Sequence, residues 1–297
     1  MTLMIDTLAK VNATSLKFKI GPFNLCLSSP IAAVSHHIQS LYSHYEVLTD
    51  DEFIDFYVRL ASPSLLRQFF RRQVVFSVDG YIPFKPLPYA QAPAMFEWGL
   101  NWCIATHSNF NLIIHAAVVE RNDRAFIFPG TPGSGKSTLC AALVCRGWRL
   151  LSDEMALVSI DDGLLSPVPR PISLKNQSIA LLQRFSERAT FGQIIADTAK
   201  GTVGHMKPPV ESVESSDKRS LPGFLIFPKY KPDADTKLVP LSKGRAMVRA
   251  AGDCFNYNVL GTRGFDSLGD LVEQCECFDF EYSRLDEAVM LFTEMAD

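Results

Sequence analysis

The stretch Gly130-Thr131-Pro132-Gly133-Ser134-Gly135-Lys136-Ser137 constrains this chain more than any other. It is entered from the apolar run Ala125-Phe126-Ile127-Phe128 and left through Thr138-Leu139-Cys140-Ala141-Ala142-Leu143-Val144. Apolar strand, glycine-rich turn and apolar helix, in that order, are the context of a phosphate-binding loop. Gly130, Gly133 and Gly135 let the backbone fold tightly enough that successive N–H groups point into one concavity, where polyphosphate oxygens can accept from them. The helix that follows adds its free N–H groups and the positive end of its dipole. Lys136 can reach the β and γ phosphates as a mobile point charge, and Ser137 offers a hydroxyl to the accompanying magnesium. Gly130, Thr131, Pro132, Gly133, Ser134, Gly135, Lys136, Ser137 and Thr138 are therefore the candidate nucleotide-binding residues.

A phosphate loop does not name the acceptor, but the next acidic position narrows it. Arg149-Leu150-Leu151-Ser152 reads as the strand after the loop helix, and it ends at Asp153-Glu154. That order brings two carboxylates back beside Lys136 and Ser137. One can hold magnesium while the other accepts a proton from an attacking hydroxyl, the division of labour that phosphoryl transfer needs. Ser137, Asp153 and Glu154 are the candidate metal ligands, with Mg2+ as the ion. No guanine-reading N-K-x-D sequence follows, which points to ATP rather than GTP. His115 lies in the apolar run 112–120, expected to be a single strand beside the one that enters the loop. By spacing alone it reads as a packed core residue or as a catalytic one.

The rest of the chain sets the frame. Its 297 residues suffice for one large α/β domain with an accessory region or for two modest domains. Alternating apolar residues predict short strands over 16–27, 52–60 and 74–78, while 31–45 is ambiguous. His36, His37 and His44 lack partners at metal-ligand spacing and read as packed or solvated. Arg67, Arg71 and Arg72 flank Phe69 and Phe70, which reads either as a basic aromatic face for a partner or as a solvated helix side. Pro83, Pro86, Pro88 and Pro93 break regular structure and suggest a boundary, dividing the chain into 1–92 and 93–297. A helix over 94–106 is expected to pack against the nucleotide-binding part. After the loop, the sequence predicts a hairpin through Asp161-Asp162-Gly163, a polar connection over 170–178, a helix over 179–185, and a mobile loop over 197–217 of the kind that covers a substrate or receives a partner. A strand at 221–228, helices near 244–251 and 267–274, a strand at 277–282 and a helix at 285–295 complete the reading.

Formal charge of −3 gives no global pull toward nucleic acid or anionic membrane, so neither is an expected partner, although a sum over the chain leaves room for a local basic patch. Residues 1–12 lack the basic start and apolar core of a secretion signal, no run has the length of a bilayer span, and the seven scattered cysteines show no C-x-x-C spacing. The expected location is the cytoplasm.

At Ile114-His115-Ala116, Gly130 to Ser137, and Arg146-Gly147-Trp148-Arg149-Leu150-Leu151-Ser152-Asp153-Glu154, the chain resembles the bacterial HPr serine kinase/phosphorylase family, and more closely the HPr-kinase-related proteins called type A. Arg170-Pro171-Ile172-Ser173-Leu174-Lys175-Asn176 and the stretch Gly201 to Pro209 are similar as well, less specifically. The resemblance implies an α/β P-loop kinase domain of the HPr kinase and phosphoenolpyruvate carboxykinase type, with a mixed sheet around the loop; residues 1–92, read as an N-terminal accessory α+β region, do not visibly match the regulatory domain of the bifunctional enzyme. The resemblance also implies ATP as donor and a serine hydroxyl on a small protein or peptide as acceptor. By position, it makes Asp153 the catalytic base, has His115 assist it, gives Lys136 the phosphate, and places Ser137 and Glu154 at the metal. Relatives in the HPr group assemble as rings, so a homo-oligomer is consistent with the resemblance. The family's usual second Asp is Glu154 here, and the E-x-R-G-x-G signature of phosphorolysis is not recognisable. The resemblance therefore extends neither to the reverse reaction nor to HPr itself. Two rival readings remain: a metabolite kinase with a basic pocket near Arg170, Lys175 and Lys207, and a nucleotide-sensing partner protein with little chemistry.

Overall fold

The computed structural model describes residues 15–297, so the expectation for residues 1–12 lies outside the described residues. The chain opens with strands β1 (Leu16–Ile20) and β2 (Phe23–Ser28), helix α1 (Ala32–Leu41), strand β3 (Phe56–Ala61), the short helix α2 (Leu65–Phe69), strands β4 (Gln73–Val78) and β5 (Leu87–Pro88), and helix α3 (Ala92–His107). The strands form one sheet in sequence order, parallel only between β2 and β3, where α1 makes the crossover. Helix α3 is apolar nearly all round and is buried accordingly. Its Met95, Phe96, Leu100, Cys103 and Ile104 share a core with Phe18, Val58 and Phe76 of the sheet. Gly99 permits that packing, because a Cβ there would strike the Phe76 ring.

The chain continues through β6 (Asn111–Ile114), β7 (Ala116–Arg121), β8 (Arg124–Pro129), α4 (Lys136–Cys145), β9 (Arg149–Ser152), β10 (Ala156–Ser159), β11 (Leu165–Ser166), β12 (Ile172–Lys175), α5 (Gln177–Phe185), β13 (Ile195–Thr198), β14 (Gly201–Met206) and α6 (Val210–Glu214). It ends with β15 (Leu221–Tyr230), β16 (Lys237–Pro240), α7 (Lys243–Gly252), α8 (Tyr257–Leu260), α9 (Thr262–Gln274), β17 (Glu276–Tyr282) and α10 (Leu285–Ala296). The largest sheet has the order β16-β17-β15-β8-β7-β9. It is parallel across β17, β15 and β8 and antiparallel elsewhere. The architecture is mixed α/β. Asn122 and Asp123 both have left-handed φ, the two-residue turn that suits the twist between antiparallel β7 and β8.

Strand alternation divides this sheet's side chains between two cores. Phe126, Phe128, Phe224 and Ile226 pack with Leu139, Leu143 and Phe292 of α4 and α10. Ala125, Ile127, Leu225 and Phe227 pack with Ala246, Leu268 and Leu271 of α7 and α9. Cover on both faces explains why β8 reads as a continuous apolar run rather than an alternating one.

Several expectations are corrected. Helix α3 packs on the N-terminal sheet as well as on the nucleotide-binding part, since its core also takes in Ile113, Met155 and Leu157 and its Glu97 pairs with Arg170. The single strand expected over 112–120 is two strands in different sheets: β6 pairs with β10, and β7 with β8 and β9. The connection over 170–178 contains β12, and the expected mobile loop over 197–217 contains β14 and α6. Strand β14 is the middle of the sheet β12-β14-β13, with Val203, His205 and Met206 buried. The ambiguous stretch near 31–45 is α1, and the expected strand over 52–60 starts only at Phe56.

Candidate active site

The loop leaves β8 at Pro129 and enters α4 at Lys136. Gly130, Gly133 and Gly135 have φ of 145°, 91° and 99°, a sequence of backbone turns that side chains resist. A Cβ on Gly135 would also run into the Tyr282 hydroxyl, which donates to the Gly135 carbonyl over 3.1 Å. The N–H of Tyr230 donates to the Ser134 carbonyl, so β15 and β17 both hold the loop from behind. Thr131, Pro132 and Gly133 are exposed at its crest. Lys136 is 6% exposed, and its ammonium donates to the Gly130 carbonyl at 2.6 Å, closing the loop on itself. Burial lowers its pKa, against the pull of Asp153, Glu154 and Asp253.

The strand order carries the acidic pair to the same place. Strand β9 pairs with β7, which pairs with β8, so Asp153 and Glu154 emerge beside the loop. Asp153 is 4% exposed, and its Oδ2 accepts from the Ser173 N–H at 2.9 Å. Burial foremost, then the neighbouring Glu154 charge, push its carboxyl up to about 7, with Ser173, the Ser137 hydroxyl and Lys136 acting the other way. The hydroxyl is near enough to oppose the rise, yet Oδ1 is buried without a hydrogen bond of acceptable geometry. Glu154 differs. Burial would raise its pKa as well, but His115, Lys175 and Lys200 together pull it below the ordinary value. His115 Nε2 lies 3.6 Å from Glu154 Oε2.

His115 is not inside a strand. It occupies the one-residue break between β6 and β7, where the chain changes sheets, and its N–H donates to the Asp253 carbonyl at 2.8 Å. The break turns its ring toward Glu154 and Phe255 rather than into a core. A pocket of about 240 Å³ opens there, lined by Trp98, Asn101, His115, Glu154, Met155, Lys200 and Phe255. Lys200 Nζ stands 5.3 Å from the Trp98 ring centre. Of these, only His115 and Glu154 are marked by a motif. Trp98 and Asn101 are hidden in a helix that reads as apolar, and Lys200 in a segment that reads as a loop.

Of the basic pocket expected near Arg170, Lys175 and Lys207, only Lys175 acts on the site, through Glu154 and together with Lys200. Arg170 is buried and pairs with Glu97 at 2.7 Å, while its other arm donates to Asn101. Lys207 donates to Ser43 at 2.6 Å. His37 and Tyr42 also bond Glu97, completing a buried polar cluster in which His37 is a packed histidine rather than a metal ligand. Among the described residues, no group of three or more His, Cys, Asp or Glu is arranged to hold a metal. Magnesium in nucleotide complexes does not need one, since phosphate and water supply most of its ligands. The hydroxyl of Ser137, the unpartnered Oδ1 of Asp153 and the half-buried Glu154 fit that role.

No protein-family model matches the chain, and a search of curated proteins finds no match.

Proposed function

We propose that the chain is an ATP- and magnesium-dependent kinase of the HPr-kinase-like type, transferring the γ-phosphate to a serine-type hydroxyl on a small protein or peptide. The observation that carries this reading is Asp153: a buried carboxyl with a pKa of about 7, beside the loop lysine and next to a pocket large enough for a side chain. A base with a pKa near the working pH accepts a proton most effectively.

In this reading the loop N–H groups and Lys136 hold the polyphosphate, with Lys136 exchanging the Gly130 carbonyl for phosphate oxygen. Magnesium, when bound by Ser137 and Glu154 beside Asp153, would offset the negative charge on the phosphates and leave the Asp153 carboxyl to take the proton. The acceptor oxygen forms its bond to the γ-phosphorus as the bond to the bridging oxygen breaks, ADP leaves, and the hydroxyl proton passes to Asp153. His115 keeps Glu154 ionised, which in turn holds the Asp153 pKa up. A small-molecule acceptor is the second reading, favoured by the pocket's size and by the cation of Lys200 at its wall.

Incubation with γ-labelled ATP, magnesium and fractionated lysate, followed by product mass, tests both. A labelled protein or peptide supports the first reading and a labelled metabolite the second. ATP binding without any transfer would leave a nucleotide sensor and refute both.

A further inference from the structure

The kinase reading leaves unused the basic aromatic segment around α2. Between Phe56 and Val78 the sequence contains Arg59, Arg67, Arg71 and Arg72 and no acidic residue. This hairpin carries +4 in a chain of −3, so the rest of the molecule bears −7. None of the four arginines is in an ion pair among the described residues. Arg72 and Arg71 lie against the rings of Tyr89 and Phe70 instead.

The apolar residues of the same tip are equally unpartnered. Leu65, Leu66, Phe69 and Phe70 are 77%, 67%, 83% and 60% exposed, and no residue of α2 is buried. Ser64 caps the helix by accepting from the Arg67 N–H, so the turn is a formed element that displays these side chains. Leu65, Leu66 and Phe69 share one side of it, with Arg67 facing away and Arg71 and Arg72 at the base.

We propose that this hairpin tip docks the protein on an anionic lipid surface. Exposed apolar side chains set beside unpaired cations match the two layers of an anionic bilayer surface, an apolar boundary under negative headgroups. Leucine and phenylalanine can enter the headgroup boundary while the arginine stems lie along the apolar layer and their guanidinium groups pair with lipid phosphates. The separation of +4 on the hairpin, three of them at its tip, from −7 elsewhere orients the molecule tip-first toward negative charge. No described helix is long and apolar enough to cross a membrane, so the contact is interfacial.

The test is co-sedimentation of the full chain with phosphatidylcholine vesicles, with and without phosphatidylglycerol, at about 0.1 M salt. The expected result is pelleting with the anionic vesicles only, weakening as salt rises. Each Arg67→Gln or Arg71→Gln change should weaken binding about fivefold, and Leu66→Ser with Phe69→Ser should abolish it. Leu66, Phe69 and Arg71 are exposed and Arg67 is half-buried on a helix with no buried residue, so Arg71→Gln and the serine variants test docking without touching the core. Failure to pellet with anionic vesicles, or variants that pellet like the parent, would overturn the proposal. So would sedimentation equilibrium showing a dimer that the same serine variants dissociate, which would assign the tip to a second copy of the chain.

Discussion

Replacing Asp153 with asparagine should remove the reaction and make the protein more stable. The carboxyl titrates at about 7 in the fold against an ordinary 3.8, because burial and Glu154 both oppose its charge. At low pH it is protonated in folded and unfolded chains alike and contributes nothing to their difference. As pH rises through 3.8 the unfolded chain releases its proton while the folded one keeps it, so stability falls, and the full penalty is reached only above about 7. The difference corresponds to roughly 4 kcal/mol at most. An asparagine in this place cannot ionise, and its side-chain oxygen can still accept from the Ser173 N–H. Denaturant unfolding without nucleotide or divalent metal, from about pH 4 to about pH 8, should therefore show parent and Asp153→Asn converging at the acid end, with the variant ahead by a few kcal/mol at the alkaline end. A gap that does not change with pH, or a less stable variant at the alkaline end, would refute the reasoning.

Three further outcomes follow from the same geometry. Lys136→Ala should lower kcat/KM by two to three powers of ten, about 3–4 kcal/mol, in steady-state transfer assays, since its ammonium is the cation held against the loop carbonyl of Gly130. Gly135→Ala should weaken ATP binding in calorimetry, because position 135 has φ of 99° and the Tyr282 hydroxyl occupies the space its methyl needs; adding Tyr282→Phe should recover part of the loss. Glu97→Gln leaves the buried Arg170 guanidinium uncompensated and should cost about 3–5 kcal/mol in denaturant unfolding.

What the sequence makes legible is local. The strand, loop and helix of residues 125–144 are read correctly because glycine spacing and apolar runs act over a few residues, and so are the Asp161-Asp162-Gly163 hairpin and the terminal helix α10. His115 stands out in the sequence, but its position is misread there: the apolar run is continuous, and only pairing with two different sheets breaks it. Residues 201–206 escape recognition as a strand because two glycines, a histidine and a threonine obscure the alternation. The ion pair of Glu97 with Arg170 spans 73 residues and leaves no local sign, which is why Arg170 reads as a substrate contact. The pocket is hidden from the sequence for the same reason, since Trp98, Lys200 and Phe255 come from three distant segments.

The most direct test of the kinase account compares parent and Asp153→Asn for ATP binding and for γ-phosphate transfer in the same preparation. The account expects binding to survive, since the loop and Lys136 are intact, while transfer falls by at least about a hundredfold. Transfer at the parental rate from the variant would contradict it.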